Sequence, residues 1–474
     1  MFRILFFVGA VVLTLSGLSA AECPPLDPQS PRTLILALDG VPYESVLTAQ
    51  EMGAFAGWAK PRPMVSPFPS MTNVGFAAIL RPFGADPIPG YEVRLYDPDA
   101  NTVGGGDAFK LKFDWREQFE VQLEGFWDKV GLYMAARTNT FTEMSRVDEY
   151  VMGTDDELMM ALISSTDALT HFQGRAETVR ILLQLSDRIE DLRRRHEELF
   201  GRSLRLVMIS DHGNVGDKVR TPSGMNRVLK KAGLKPSKHL EGPDDVVPVT
   251  YGVVGYGALY LDPANAEKAA RAVLNHTGVH LAAWRAGERE LRLVSDDGEA
   301  SLLWRDGEPE AYYAYQVNEG DPLHLLETVS LMRLAGVVDE QGFASRDDWF
   351  EWTAFSDYPD SPTRLVESLN GAWVSNAATV IFSFEPGYAW GMKKVQVGAW
   401  VKAGRLETTH GGLDRASTWG FFLTSDTDLE TPPAVRADLA LREWALASYC
   451  TTASLMRFVG DGHERLHGPR VAAP

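Results

Sequence analysis

Five short groups of residues carry the side chains that could do chemistry. In chain order they are Asp39-Gly40, Pro69-Ser70-Met71-Thr72-Asn73, Asp167-Ala168-Leu169-Thr170-His171, Ser210-Asp211-His212-Gly213 and Thr409-His410-Gly411-Gly412. Each has an ordinary reading by itself. Asp-Gly after a strand is a turn, Ser-x-Thr before an apolar run is a helix cap, and Asp and His four apart share a solvated helix face. Together they offer three aspartates (Asp39, Asp167, Asp211), three histidines (His171, His212, His410) and the Thr72 hydroxyl, with no cysteine. Carboxylate with imidazole suits Zn²⁺, with Mn²⁺ as the alternative, and excludes a thiolate-rich structural zinc. Six such ligands match two neighbouring divalent ions that each keep a position open. The run from Asn73 to Leu80 reads as a short helix with Thr72 at or near its N-cap. There the positive end of the helix dipole and the first-turn N–H groups make an anion site. A metal that lowers the hydroxyl pKa would turn Thr72 into a nucleophile.

These groups need elements to hold them. Thr33 to Leu38 is a short apolar run that ends in Asp39-Gly40, which predicts a buried parallel strand entering a loop. Residues 176–199 place Leu182, Leu185, Ile189, Leu192 and Leu199 at helical spacing and stop at Gly201. Leu204 to Ile209 then predicts a second strand, followed closely by Asp211. Strand, helix, strand with acids at the strand C-termini is the doubly wound α/β pattern, whose sites lie outside the carboxyl ends of the strands. Residues 91–152 are Trp/Phe-rich without clear periodicity and read as an insertion in the core, with Phe113, Trp115, Phe119, Phe126 and Trp127 as core or as an apolar leaving-group pocket. Residues 248–332 read as a small α+β cap around a helix at 265–274. The core is thus expected to run from 22 to 247 and again from 333 to 474, with a strand at 377–384 and a largely helical 434–456. His196 falls on the apolar stripe of the long helix, where packing is its role.

The chain has 474 residues, 45% hydrophobic and 23% charged, an ordinary globular balance. Its net charge of −18, without a basic run, excludes a nucleic acid polymer as partner. Residues 4–21 are uncharged and mostly apolar after Arg3, and Ser19-Ala20-Ala21 supplies a small-residue cleavage site. Residues 1–21 are therefore expected to be a secretory signal peptide, with an uncleaved N-terminal anchor as the alternative; the first puts the protein in the periplasm or outside the cell, without stable membrane insertion after its removal. Cys23 and Cys450 are the two cysteines, and could pair in an oxidising compartment.

The ordered set resembles the alkaline phosphatase superfamily, and Pro-Ser-Met-Thr-Asn around Thr72 resembles its type I phosphodiesterase/nucleotide pyrophosphatase-like branch. The resemblance implies a doubly wound, mostly parallel sheet flanked by helices, with smaller α+β segments inserted. It implies Thr72 as nucleophile, Asp39, Asp211 and His212 around the metal that also contacts the Thr72 oxygen, and Asp167, His171 and His410 around the second. The branch carries an asparagine shortly before a Tyr-Asp motif. Here Tyr96-Asp97 follows Val93, Arg94 and Leu95, which leaves Arg94 or Asn73 to make that phosphate contact. A sulfatase needs arginine where Asp27 follows Cys23-Pro24-Pro25-Leu26. The expected function is that of an exported two-metal phosphoesterase acting on a small-molecule phosphate ester through a phosphothreonine. A diester is expected over a monoester, because no third cationic site is evident. The alternatives are a phosphomonoesterase and a non-catalytic, metal- or ligand-binding exported protein.

Overall fold

The computed structural model describes residues 30–105, 113–123, 135–216, 218–307, 310–392 and 406–448. The leader, both cysteines, Phe126 and Trp127 lie outside these residues. Strands are numbered along the chain. The first sheet contains β1 (Arg32–Leu38), β2 (Arg62–Val65), β5 (Leu158–Ile163), β6 (Leu204–Ile209), β16 (Trp419–Thr424) and β17 (Val435–Arg436), in the order β17-β2-β16-β6-β1-β5. β1 pairs in parallel with both β5 and β6, and β17 with β2, while β16 alone runs against its neighbours β6 and β2. The sheet is mostly parallel, as the resemblance implies.

Alternation along β1 explains the layers. Leu34, Leu36 and Leu38 face a cluster built with α1 (Tyr43–Glu51), α3 (Ala136–Gly153) and α4 (Ser165–Phe200), among them Val46, Met144, Leu182, Leu185 and Ile189. Ile35 and Ala37 face the opposite cluster, where α2 (Thr72–Ile79) packs through Val74, Phe76 and Ile79. A strand buried on both faces has no polar side, so β1, β5 and β6 are mostly apolar, with Arg32, Thr33 and Arg205 confined to the N-terminal ends of β1 and β6. The long helix begins earlier than its apolar stripe predicts. Its first turns, Ser165 onward, are offset from the rest by a break at Gly174 (φ 72°, ψ −179°). His196 is buried in packing as expected, with its Nε2 accepting from Arg32 Nη1 at 3.2 Å.

The second sheet holds β7 (Lys235–Pro236), β8 (Asp245–Val249), β9 (Tyr256–Leu261), β10 (Val279–Gly287), β11 (Glu290–Ser295), β12 (Gly298–Arg305), β13 (Tyr312–Gly320), β14 (Phe343–Ser345) and β15 (Val380–Phe384). Their order is β14-β13-β12-β11-β10-β15-β9-β8-β7. β15 comes from the segment assigned to the core, yet it inserts antiparallel between β10 and β9. Its five residues are all buried, and a short apolar run states that it is interior without saying to which sheet it belongs. The segment read as insertion also behaves otherwise in part. α3 lies in the helix layer of the first sheet against α4, while β3 (Arg94–Asp97) and β4 (Thr102–Gly105) form a separate ribbon. α3 escapes the periodicity reading because Thr140 and Glu143 sit on its buried face among the apolar residues. Phe113, Trp115 and Phe119 are core: Trp115 stacks on Phe76 of α2 at 4.9 Å between centroids.

Candidate active site

The carboxyl ends of β5, β1 and β6 lie side by side, and each hands over to a site residue. Asp39 follows β1, Asp167 lies in the first turn of the helix after β5, and Asp211 and His212 follow β6. This is where a doubly wound sheet places its ligands. Thr72 opens α2, one position inside the helix, with Met71 as the cap residue. His410 lies in the loop that leads to β16. Close approach makes the convergence work. Gly40 sits at φ +65°, and a Cβ there would collide with Asp167 Oδ1. At Gly75 of α2 a Cβ would stand 2.9 Å from Asp211 Cβ.

Thr72 Oγ1 lies 3.3 Å from both Asp39 Oδ1, to which it donates, and His212 Nε2. His212 Nε2 is 3.3 Å from Asp211 Oδ2 and 3.8 Å from Asp39 Oδ1. His171 Nε2 lies 3.4 Å from Asp167 Oδ1. The His212 and His410 rings stack at 3.9 Å, and His171 stands 5.1 Å from His410. All three imidazoles are oriented alike. Nδ1–H of His171 donates to Thr408 O (2.7 Å), that of His212 to Gly213 O (2.9 Å) and that of His410 to Ser70 O (2.8 Å). A carbonyl accepts only, so this fixes the tautomer and leaves each Nε2 with a lone pair.

The electrostatics follow from burial and crowding. Burial, then the nearby Asp211 and Asp167, raise the Asp39 carboxyl well above its ordinary value. Burial pushes Asp211 up to about 6 against the pull of His212. Burial opposes the charge on Asp167 too, but His171, with His410 and His212 behind it, brings that carboxyl below its ordinary value. Burial would lower His171, and Asp167 more than reverses it. His410 is lowered well below its ordinary value by burial and by the neighbouring His212. Asp211 Oδ2 is buried without a hydrogen-bond partner, facing an imidazole lone pair. Two acceptors in contact, beside two further carboxylates, are the arrangement that a cation between them would relieve. The donor set fits divalent metal. Asp39, Asp211 and His212 form one group with mutually close ligand atoms, and Asp167, His212 and His410 form another. His212 therefore reaches both groups, with His171 adjacent to Asp167.

The two residues expected to touch phosphate part company. Asn73 is the second residue of α2 and half-buried beside Thr72. Arg94 lies on the β3–β4 ribbon, where Nη1 meets Met392 Sδ, and no contact joins it to Thr72 among the described residues. The cation whose field reaches Asp39 is Arg116, which lies 4.5 Å from the Trp115 ring centroid. Asn214 is a second residue that motif reading passed over. Its Nδ2 donates to Gly40 O (2.8 Å) and Asp167 Oδ1 (3.4 Å), and its Oδ1 accepts from Thr408 Oγ1 (3.3 Å). Its position two residues beyond His212 is the signal that could have found it.

No family model matches the sequence, and no curated protein matches it. Solved structures do. The chain is similar to murine ectonucleotide pyrophosphatase/phosphodiesterase 5 at 9% identity and a TM-score of 0.46, over 88% of this chain and 94% of that one. The human counterpart gives 10% and 0.47 over the same shares. Phosphonoacetate hydrolase from Sinorhizobium meliloti 1021, in complex with phosphonoacetate, gives 11% and 0.46 over 87% and 94%.

Proposed function

We propose that this chain is an exported hydrolase of phosphoric esters, a phosphodiesterase first, that works with two divalent cations and uses Thr72 as its nucleophile. One observation carries the reading. A helix-terminal hydroxyl stands equidistant from a buried carboxylate and an imidazole lone pair, inside a ring of three aspartates and three tautomer-fixed histidines. Asp39, Asp211 and His212 would hold one ion, and Asp167, His171 and His410 the other, with His212 at their boundary. When bound, Zn²⁺ or Mn²⁺ supplies acidification of a hydroxyl and neutralisation of phosphoryl charge.

The chain's own groups account for the rest. Thr72 Oγ1–H points at Asp39 Oδ1, which leaves its lone pairs for an in-line approach to phosphorus. The Oγ1–P bond forms as the bond to the leaving alkoxide breaks, and the hydroxyl proton ends on the departing alcohol. The N–H of Asn73, unused inside the first helical turn, faces the non-bridging oxygens at the positive end of α2. Water then attacks phosphothreonine, the P–Oγ1 bond breaks, and a water proton restores the Thr72 hydroxyl. Two displacements give overall retention at phosphorus.

The test is the chain from Glu22 onward, with its metal content measured, against bis-p-nitrophenyl phosphate and p-nitrophenyl phosphate side by side. Chelator-sensitive diester hydrolysis with about two ions per chain is expected. Thr72→Ala should abolish turnover and keep the metal. Near-intact activity in that variant would remove Thr72 as nucleophile.

A further inference from the structure

Behind the loop that leads into Thr72 lies a buried guanidinium. Arg364 stands on α5 (Ser361–Leu369) and is 3% exposed. Its Nη1 donates to Pro359 O (2.9 Å) and Leu413 O (3.3 Å), and its Nη2 to Ser70 Oγ (3.1 Å) and Pro67 O (3.5 Å). Pro67 and Ser70 belong to the Thr72 loop, and Leu413 follows His410 by three residues. Ser70 joins the two loops, because its carbonyl accepts from His410 Nδ1 while its hydroxyl accepts from Arg364. Ser70 Oγ also lies 3.4 Å from Gly412 O.

Arg364 makes no ion pair with a described residue. The acids whose fields reach it are Asp360 and Asp414, and burial pushes both toward the neutral form. A buried cation without a close counter-ion is costly, and an apolar side chain would fill the space at less cost. What a guanidinium adds is several donors in a fixed plane, able to reach carbonyls and a hydroxyl on separate segments at once. Neither lysine nor an apolar residue can do that.

The geometry points to Arg364 as a positioning residue: through Ser70 it fixes the His410 ring with Nε2 toward the cluster, and through Pro67 and Ser70 it fixes the loop that presents Thr72. Its effect on turnover rests on the proposed function, whereas its effect on the His410 ring does not. The experiment compares wild type, Arg364→Lys and Ser70→Ala in the chain from Glu22 onward. Ring ¹⁵N–¹H spectra, with His410 assigned through His410→Gln, should show one Nδ1–H tautomer in wild type. In Arg364→Lys that proton should exchange at least ~10-fold faster. Loss of such an outer partner costs about 10–100-fold in metal affinity or activity. The same loss is expected in Zn²⁺ affinity and in kcat on bis-p-nitrophenyl phosphate, with KM nearly unchanged. Ser70→Ala removes one of the four acceptors of Arg364, together with the hydroxyl's own contacts to Pro67 O and Gly412 O, and should shift all three readouts the same way by less. It decides the matter if Arg364→Lys does not fold. A folded Arg364→Lys protein with the wild-type His410 tautomer and wild-type Zn²⁺ affinity would overturn the assignment. If wild type hydrolyses neither ester, the proposed function fails, and the ring spectrum still decides the role of Arg364.

Discussion

Gly75 sets two physical effects against each other. It lies inside α2, where alanine is favoured over glycine by about 0.8–1 kcal/mol in helix propensity. By that measure alone Gly75→Ala stabilises. Packing opposes it. The added Cβ would stand 2.9 Å from Asp211 Cβ and 3.0 Å from Asp211 O, where carbon contacts are comfortable at about 3.5–4.0 Å. α2 must therefore withdraw from the end of β6 by roughly 0.5–1 Å. Overpacking of this kind costs about 1–3 kcal/mol, so the net effect is a destabilisation of about 1 kcal/mol. Activity should suffer more than stability, because Thr72 is carried on the same helix, and a displacement near 1 Å can cost on the order of 100-fold in rate. The assay is kcat on bis-p-nitrophenyl phosphate at matched metal content, together with thermal unfolding. Gly153→Ala serves as control: Gly153 ends α3, and nothing lies within 4 Å of a Cβ there. A Gly75→Ala enzyme with wild-type kcat and a raised midpoint would refute the argument, since it would mean that α2 and Asp211 are not in contact.

Two further outcomes are expected. Glu143 is fully buried, accepts from Ser164 N and Ser165 N, and meets Ser165 Oγ; burial pushes its carboxyl from 4.5 up to about 7. A raised folded-state pKa means that the native protein holds this proton longer, so its contribution to stability is complete below pH ~4.5 and is lost as pH rises through ~7. The loss is about 2–3 kcal/mol, and denaturant unfolding from pH 4.5 to 8 should be flatter by that amount in Glu143→Gln; an unchanged slope would contradict it. Asn214→Ala removes the donor to Gly40 O and Asp167 Oδ1 and should weaken Zn²⁺ binding by about 10–100-fold. Isothermal titration checks this, and wild-type affinity would show that Asp167 keeps its place without Asn214.

Much of the site was legible because its residues sit at chain punctuation. Asp39 and Asp211 end apolar strands, Thr72 opens a helix, and Asp167 and His171 share a helical turn spacing. These are local signals, and the structure brings all of them to one place. What was not legible depended on contacts between segments far apart in sequence. β15 has the same apolar run as a core strand, and its sheet is decided by β9 and β10. Arg94 lies near the Tyr-Asp motif in sequence but on a ribbon that turns it toward Met392. Arg364 has no motif around it, and its partners Ser70 and Leu413 are 294 and 49 residues away. Glu143 lies in a stretch without clear periodicity, and nothing in its sequence neighbours announces the N–H groups of Ser164 and Ser165 that it accepts from.

The placement of β16 has a consequence for when the protein can become competent. Among the described residues it is the last long strand, yet it fills an interior position of the first sheet, between β2 and β6. Until residues 406–424 have been made and delivered, β6 and β2 remain open edges, and His410 is missing from the cluster. Open edges are aggregation hazards, and pairing partners over 200 residues apart is slow. The second candidate ligand group is therefore complete only once residue 410 has been delivered, and a product truncated before residue 406 would retain Asp39, Thr72 and Asp211 but lack the His410 imidazole.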